Sequence, residues 1–145
     1  MMLFIDASVI VAILAGEDDA AELMGRLERA EGPFLVSPIA RMEATLSLSR
    51  RLTDAKGREQ PATPEIVQRA LAMVDQFVID MEAKDAMISG DVGNKALDAA
   101  QTYGKIVNAP AKLNMGDCFA YACARAYRTK IAFKGDDFTH TDLGW

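Results

Sequence analysis

The sequence predicts an α/β chain: a short, mainly parallel sheet sandwiched between helices in three layers, α/β/α. Three observations carry this. Compact apolar runs with β-branched or aromatic members stand at residues 3–5, 34–36 and, after Lys130, 131–133, as short buried strands do. Between them lie stretches with apolar residues at helical spacing. The two kinds alternate along the chain, which is the pattern of strand–helix–strand units. The length of 145 residues suits one domain, residues 1–145, with a core large enough to need no staples.

Leu3-Phe4-Ile5 reads as the first strand, ended by Asp6. Residues 9–14 are apolar almost all round, as a buried helix is. Residues 17–30 keep Ala20, Ala21, Leu23, Met24 and Leu27 at helical spacing until Glu31-Gly32-Pro33 stops them. Phe34-Leu35-Val36 is the second strand. Ser37-Pro38 then opens a helix, serine as N-cap and proline at the first helical position, running from Ile39 to about Leu52.

Residues 53–64 are polar, carry Gly57, Pro61 and Pro64, and read as a loop. Thr63-Pro64-Glu65 starts a long amphipathic helix that ends near Met81. Ala86-Met87-Ile88-Ser89 is a weak candidate for a third strand. Asp91 to Tyr103 forms a further helix closed by Gly104. Residues 108–115 form a loop, Gly116-Asp117 leads into a small-residue helix over 118–127, and residues 130–133 form a fourth strand.

Half of the residues are hydrophobic and a quarter are charged, which excludes global disorder. The start lacks a basic region and Asp6 interrupts its apolar run, against a signal peptide. That aspartate and the following Glu17-Asp18-Asp19 also argue against a membrane span, so a cytoplasmic protein is expected. Cys118 and Cys123 lie five apart on different faces of one helix, which suits free buried thiols in a reducing compartment. A single histidine, His140, makes zinc-hydrolase and histidine-triad chemistry improbable. The net charge of −5 weighs against a nucleic-acid partner unless some acids are committed to metal ions.

The acids are the informative residues. Right-handed crossovers bring the ends of the first and fourth strands to one edge, and in open parallel sheets ligands bind at the carboxyl edge. Asp6 follows the first strand, and Asp136 and Asp137 follow the fourth. Glu43 lies about two turns into the helix after the second strand, on or beside its apolar face. Asp117 opens its helix on the face of Ala120, Tyr121 and Ala124. Each acid also has an ordinary reading: Asp6 and Asp117 as caps, Glu43 as partner of Arg50, Asp136 and Asp137 as turn residues. Four such coincidences at one edge are less expected than one. Clustered carboxylates repel unless a cation lies between them. Oxygen-only ligands suit Mg²⁺ or Mn²⁺, ions that activate water for phosphodiester hydrolysis.

The segments FIDASVIVAIL, SPIARMEATLSLSR, LNMGDCFAYACARAY and AFKGDDFTHTDL resemble those of the PIN-domain family, and within it the VapC-type ribonuclease toxins. The resemblance spans nearly the whole chain. It implies an Mg²⁺- or Mn²⁺-dependent endoribonuclease, usually a homodimer, that acts on RNA and is held inactive by a VapB-type antitoxin. Asp6 and Asp117 would then be the main metal ligands. Glu43 would complete the set and orient the attacking water, and Ser8 would hydrogen-bond at the site. The fourth acid maps to Asp137, with Asp136 adjacent, while Thr139 and Thr141 would organise the site's surroundings. Arg41, Arg50, Arg51, Lys56, Arg58, Lys112 and Lys134 flank the acidic segments, as phosphate contacts or as solvated surface cations. The role of residues 53–64 stays open between substrate contact and dimer packing.

A PIN-like interaction module without catalysis is the competing reading. A phosphotransferase of the receiver or haloacid dehalogenase type shares the strand-end aspartate. Those families need a second acid two residues later or an acidic pair before the first strand, and position 8 here is serine.

Overall fold

The computed structural model describes residues 2–54 and 60–145. The chain runs β1 (Leu3–Ile5), α1 (Ala7–Leu14), α2 (Ala20–Ala30), β2 (Phe34–Val36), α3 (Pro38–Asp54), α4 (Pro64–Asp80), β3 (Lys84–Asp85), α5 (Gly90–Tyr103), a 3-10 turn (Lys105–Val107), α6 (Met115–Ala126) and β4 (Lys130–Ala132). The α/β class expected from the alternating pattern is what is found.

Local chemistry explains where the helices start. Asp6 caps α1. Ser37 Oγ accepts the Ala40 N–H at 3.0 Å in front of α3. Thr63 and Ser89 cap α4 and α5 by accepting from Ile66 and Val92. Each oxygen satisfies a backbone donor that the first helical turn leaves without a partner.

The four strands are all parallel, in the order β3-β2-β1-β4. From β1 the chain steps outward through β2 to β3, then returns to the opposite side of β1 as β4. Right-handed crossovers therefore put α1 to α4 on one face and α5 and α6 on the other. The winding reverses between β1 and β4, and the crevice beyond their carboxyl ends is where such sheets take ligands. The Asp6 N–H extends the β1–β4 pairing by donating to the Ala132 carbonyl at 3.0 Å. Phe4, Ile5, Val9, Ile10, Leu27, Leu48, Val74 and Ile131 are fully buried around the sheet. Among the described residues no helix is long and apolar enough to cross a membrane.

Several boundaries differ from the sequence expectation. The third strand is Lys84–Asp85, not residues 86–89: Leu35 and Val36 of β2 pair with Lys84 and Asp85. An edge strand needs only its backbone to pair, and here both paired side chains are exposed, so the apolar pattern pointed past it. Ser89, assigned to that strand, is occupied as the cap of α5. Helix α6 begins at Met115, three residues before the expected start, because Asn114 and Asp117 form a capping box. Thr53 and Asp54 continue α3 and are not loop. The core of the expected loop, residues 55–59, lies outside the described residues.

The final residues complete the edge beside β4. Ile131 donates its N–H to the Leu143 carbonyl and accepts that of Trp145. The Trp145 indole donates to the Phe133 carbonyl at 2.9 Å and carries Arg26 over its ring. Within this turn Phe138 is 1% exposed and packs edge-on against Phe133, anchoring the segment that holds Asp137. Phe138→Ala should lower unfolding free energy by about 3–5 kcal/mol. Urea denaturation followed by circular dichroism measures the loss, and an unchanged midpoint would contradict this packing account.

Candidate active site

Asp6 holds two jobs at the carboxyl end of β1. Its Oδ2 accepts both the Ser8 N–H at 3.1 Å and the Ser8 hydroxyl at 2.6 Å, which caps α1. Its Oδ1 lies outside these bonds. The Ser8 hydroxyl in turn accepts the Lys134 N–H at 3.0 Å. One serine thus ties the start of α1 to the segment that follows β4.

Asp117 repeats the arrangement on the opposite face. Its Oδ2 accepts the Asn114 N–H at 3.1 Å, and its own N–H donates to Asn114 Oδ1 at 2.9 Å. Both aspartates are buried, 7% and 8% exposed. The cap reading and the site reading are therefore compatible, each using a different oxygen of one carboxylate.

Glu43, on α3, and Asp137, after β4, make no hydrogen bond or ion pair among the described residues, so the pairing of Glu43 with Arg50 is not found. Asp6, Glu43, Asp117 and Asp137 line one cavity of about 520 Å³, together with Ser8, Arg50, Arg51 and Lys134. Asp136 does not line it; its carbonyl accepts the Thr139 N–H. Thr139 and His140 are exposed and stand away from the cavity wall. Thr141 braces the turn by donating its hydroxyl to the Phe138 carbonyl at 2.8 Å.

The electrostatics follow from burying like charges together. Burial pushes the Asp6 carboxyl above the ordinary aspartate range, against the lowering effect of the Ser8 hydrogen bonds and with a further push from Asp137. Burial and then the charge of Asp6 raise Glu43 to about 7. Asp117 also rises to about 7, by burial first and then by Asp137, Asp6 and Glu43, against the Asn114 bond. Among the described residues no three acidic, histidine or cysteine side chains are gathered into finished metal-ligand geometry. The expected tight cluster is instead a ring around a cavity. The donors are all oxygens, and the carboxyls of Asp6, Glu43 and Asp117 are raised by burial and by their neighbours' charge; both properties fit a hard divalent cation.

Cations stand at the mouth, but most are engaged. Glu17, which the sequence reading missed as a site residue, accepts from both Arg51 and Lys134. Lys134 also reaches Asp19 at 2.9 Å. Arg41 pairs with Asp75 at 2.6 Å. Arg50 lines the cavity without an ion pair among the described residues. Lys112 is exposed and off the cavity wall. Lys56 and Arg58 lie outside the described residues. The sequence signal for Glu17 was weak, because its partners are 34 and 117 positions away.

Residues 3–143 match the family of the PIN domain. Among individual proteins, a VapC ribonuclease of Rhizobium meliloti (strain 1021) is 43% identical over 144 residues, covering 99% of this chain and 100% of its own length. Ribonuclease VapC42 of Mycobacterium tuberculosis is 37% identical, covering 97% of this chain and 96% of its own. Ribonuclease VapC30 of the same species is 32% identical, at 96% and 94%.

The raised carboxyls make stability pH-dependent with a defined sign. An acid whose pKa is higher in the folded chain than in the unfolded one favours folding while protonated. Its contribution is complete below the unfolded carboxylate range and is lost as pH rises through about 7. In EDTA, the melting temperature should fall by several degrees between pH 4.5 and pH 8. Asp117→Asn, which keeps the capping acceptor, should flatten that fall. A wild-type melting temperature that rises steadily over this range would contradict the assignment.

Proposed function

This chain belongs to the PIN domain family, and on that premise we propose that it is a divalent-metal-dependent endoribonuclease, the toxin of a toxin–antitoxin pair. The observation that carries the reading is the convergence of acids from four separate segments on one cavity at the β1–β4 switch point, with cations at its mouth. The relatives named as ribonucleases over almost their full length support the same reading.

Asp6 and Asp117 are the principal ligands for Mg²⁺ or Mn²⁺, with Asp137 and Glu43 completing the set. When bound, the ion neutralises the carboxylates, lowers the pKa of water and stabilises charge developing on the phosphate. Glu43, which no donor among the described residues holds, orients the attacking water and accepts its proton. Ser8 fixes the rotamer of Asp6. Asp136, Thr139 and Thr141 organise the turn that presents Asp137. Arg50 contacts a phosphate of the RNA, and Glu17 holds Arg51 and Lys134 at the mouth. Such contacts position a nucleic acid without reading its sequence, and they offset an overall charge of −5 locally.

The protein works in the cytoplasm as a homodimer neutralised by a VapB-type antitoxin. Leu97, Ile106, Val107 and Met115 are exposed apolar side chains, Ile106 at 88%. They line or border a second cavity of about 470 Å³ between α5 and α6, a surface of the kind that partner helices cover.

Total RNA incubated with the purified protein should give discrete fragments with Mg²⁺ or Mn²⁺ and none with EDTA. Asp6→Asn and Asp117→Ala should each lower the cleavage rate by at least about 100-fold. A folded wild type that neither binds Mn²⁺ at millimolar concentration nor cuts RNA would point to a non-catalytic interaction module. Arg50→Ala should weaken RNA binding and reduce its logarithmic salt slope by about one. Glu17→Gln should tighten it, by releasing two cations from a shared counter-ion; filter binding across a salt series reads both.

A further inference from the structure

Gly116 stands in the first turn of α6, directly before Asp117, where alanine would favour the helix more than glycine does. Its backbone is not in the left-handed region that calls for glycine, so local conformation leaves the residue unexplained. The explanation lies across the α3–α6 contact. A Cβ at position 116 would stand 2.1 Å from Glu43 Oε2 and 2.4 Å from both Cδ and Oε1. A methyl group and the Glu43 carboxylate would claim the same space.

We propose that Gly116 is a positioning residue for Glu43: its bare Cα is the seat on which the Glu43 carboxylate rests, beside Asp117 at the wall of the cavity. The inference rests on the reading of Glu43 as part of the metal- and water-holding set. Glu43 reaches this place at the end of a flexible side chain, with no hydrogen bond to fix it among the described residues. Packing against the helix therefore sets its position. Adding the methyl group leaves α6 intact and turns Glu43 away, because a side chain end yields more readily than a helix backbone. The outcome separates function from folding: the site is lost while the helix gains a better helix former.

The test is a double-mutant cycle read by Mn²⁺ titration calorimetry, RNA cleavage rate and thermal melting, on wild type, Gly116→Ala, Glu43→Ala and the double variant. Glu43→Ala should weaken Mn²⁺ binding. Gly116→Ala should weaken it by a similar factor, about 10–100-fold, as the loss of a ligand's support does. The double variant should bind no more weakly than Glu43→Ala alone, and Gly116→Ala should melt at or above the wild-type temperature. Wild-type Mn²⁺ affinity in Gly116→Ala, beside a weakened Glu43→Ala, would overturn the inference and leave the proposed function standing. A further loss in the double variant, or a lower melting temperature in Gly116→Ala, would also overturn it, since the glycine would then act through Asp117 or the helix. Unchanged Mn²⁺ affinity in Glu43→Ala would overturn the metal-holding role of Glu43 itself, and the inference with it.

Discussion

Negative charge gathered in a poorly solvated crevice is the constraint around which this protein is arranged. Asp6 and Asp117 are buried, Glu43 and Asp137 share their cavity, and among the described residues no cation pairs with any of the four. For Asp6, Glu43 and Asp117, burial opposes ionisation and neighbouring carboxylates add to it. The sheet and two helix starts hold the two buried aspartates in place. The Asp6 backbone is held by Ala132 across β1–β4, its side chain by Ser8, and Asp117 by Asn114. Fixed placement of these two aspartates is what the proposed ion-holding role would require.

The same electrostatics shape the rim. Glu17 draws Arg51 and Lys134 together from α3 and from the segment after β4. Positive charge stays at the mouth and does not collapse onto the acids. Acids and bases thus line one cavity, as the proposed metal-assisted cleavage of a phosphodiester would require.

Much of this was legible in the sequence, for physical reasons. Residues 3–5 and 34–36 stood out as strands because central parallel strands are buried on both faces and read as unbroken apolar runs. Asp6, Glu43 and Asp117 could be named because an acid beside buried apolar residues is conspicuous, whereas Asp137 was preferred to Asp136 on the resemblance to the PIN-domain family. The edge strand at Lys84–Asp85 was illegible, since its side chains are exposed and polar and only its backbone joins the sheet. The Asn114 cap was taken for loop because Met115, 75% exposed, and Gly116 begin α6 without a periodic apolar signal. Glu17 and Gly116 were out of reach for a different reason. Their roles exist only in contacts between segments distant along the chain, which periodicity and local propensity do not record.

The doubled duty of the two aspartates bears on how sequence drift in such proteins should be read. A descendant that has given up catalysis still needs an acceptor at the start of α1 and of α6, so selection for folding alone retains Asp6 and Asp117 or their capping equivalents. Glu43 and Asp137 do no comparable work for the fold, and burying Glu43 beside other acids is a burden to it. If the proposed roles hold, that second pair, together with a glycine before the helix aspartate, is the more discriminating sign of a living enzyme in a newly met chain of this architecture.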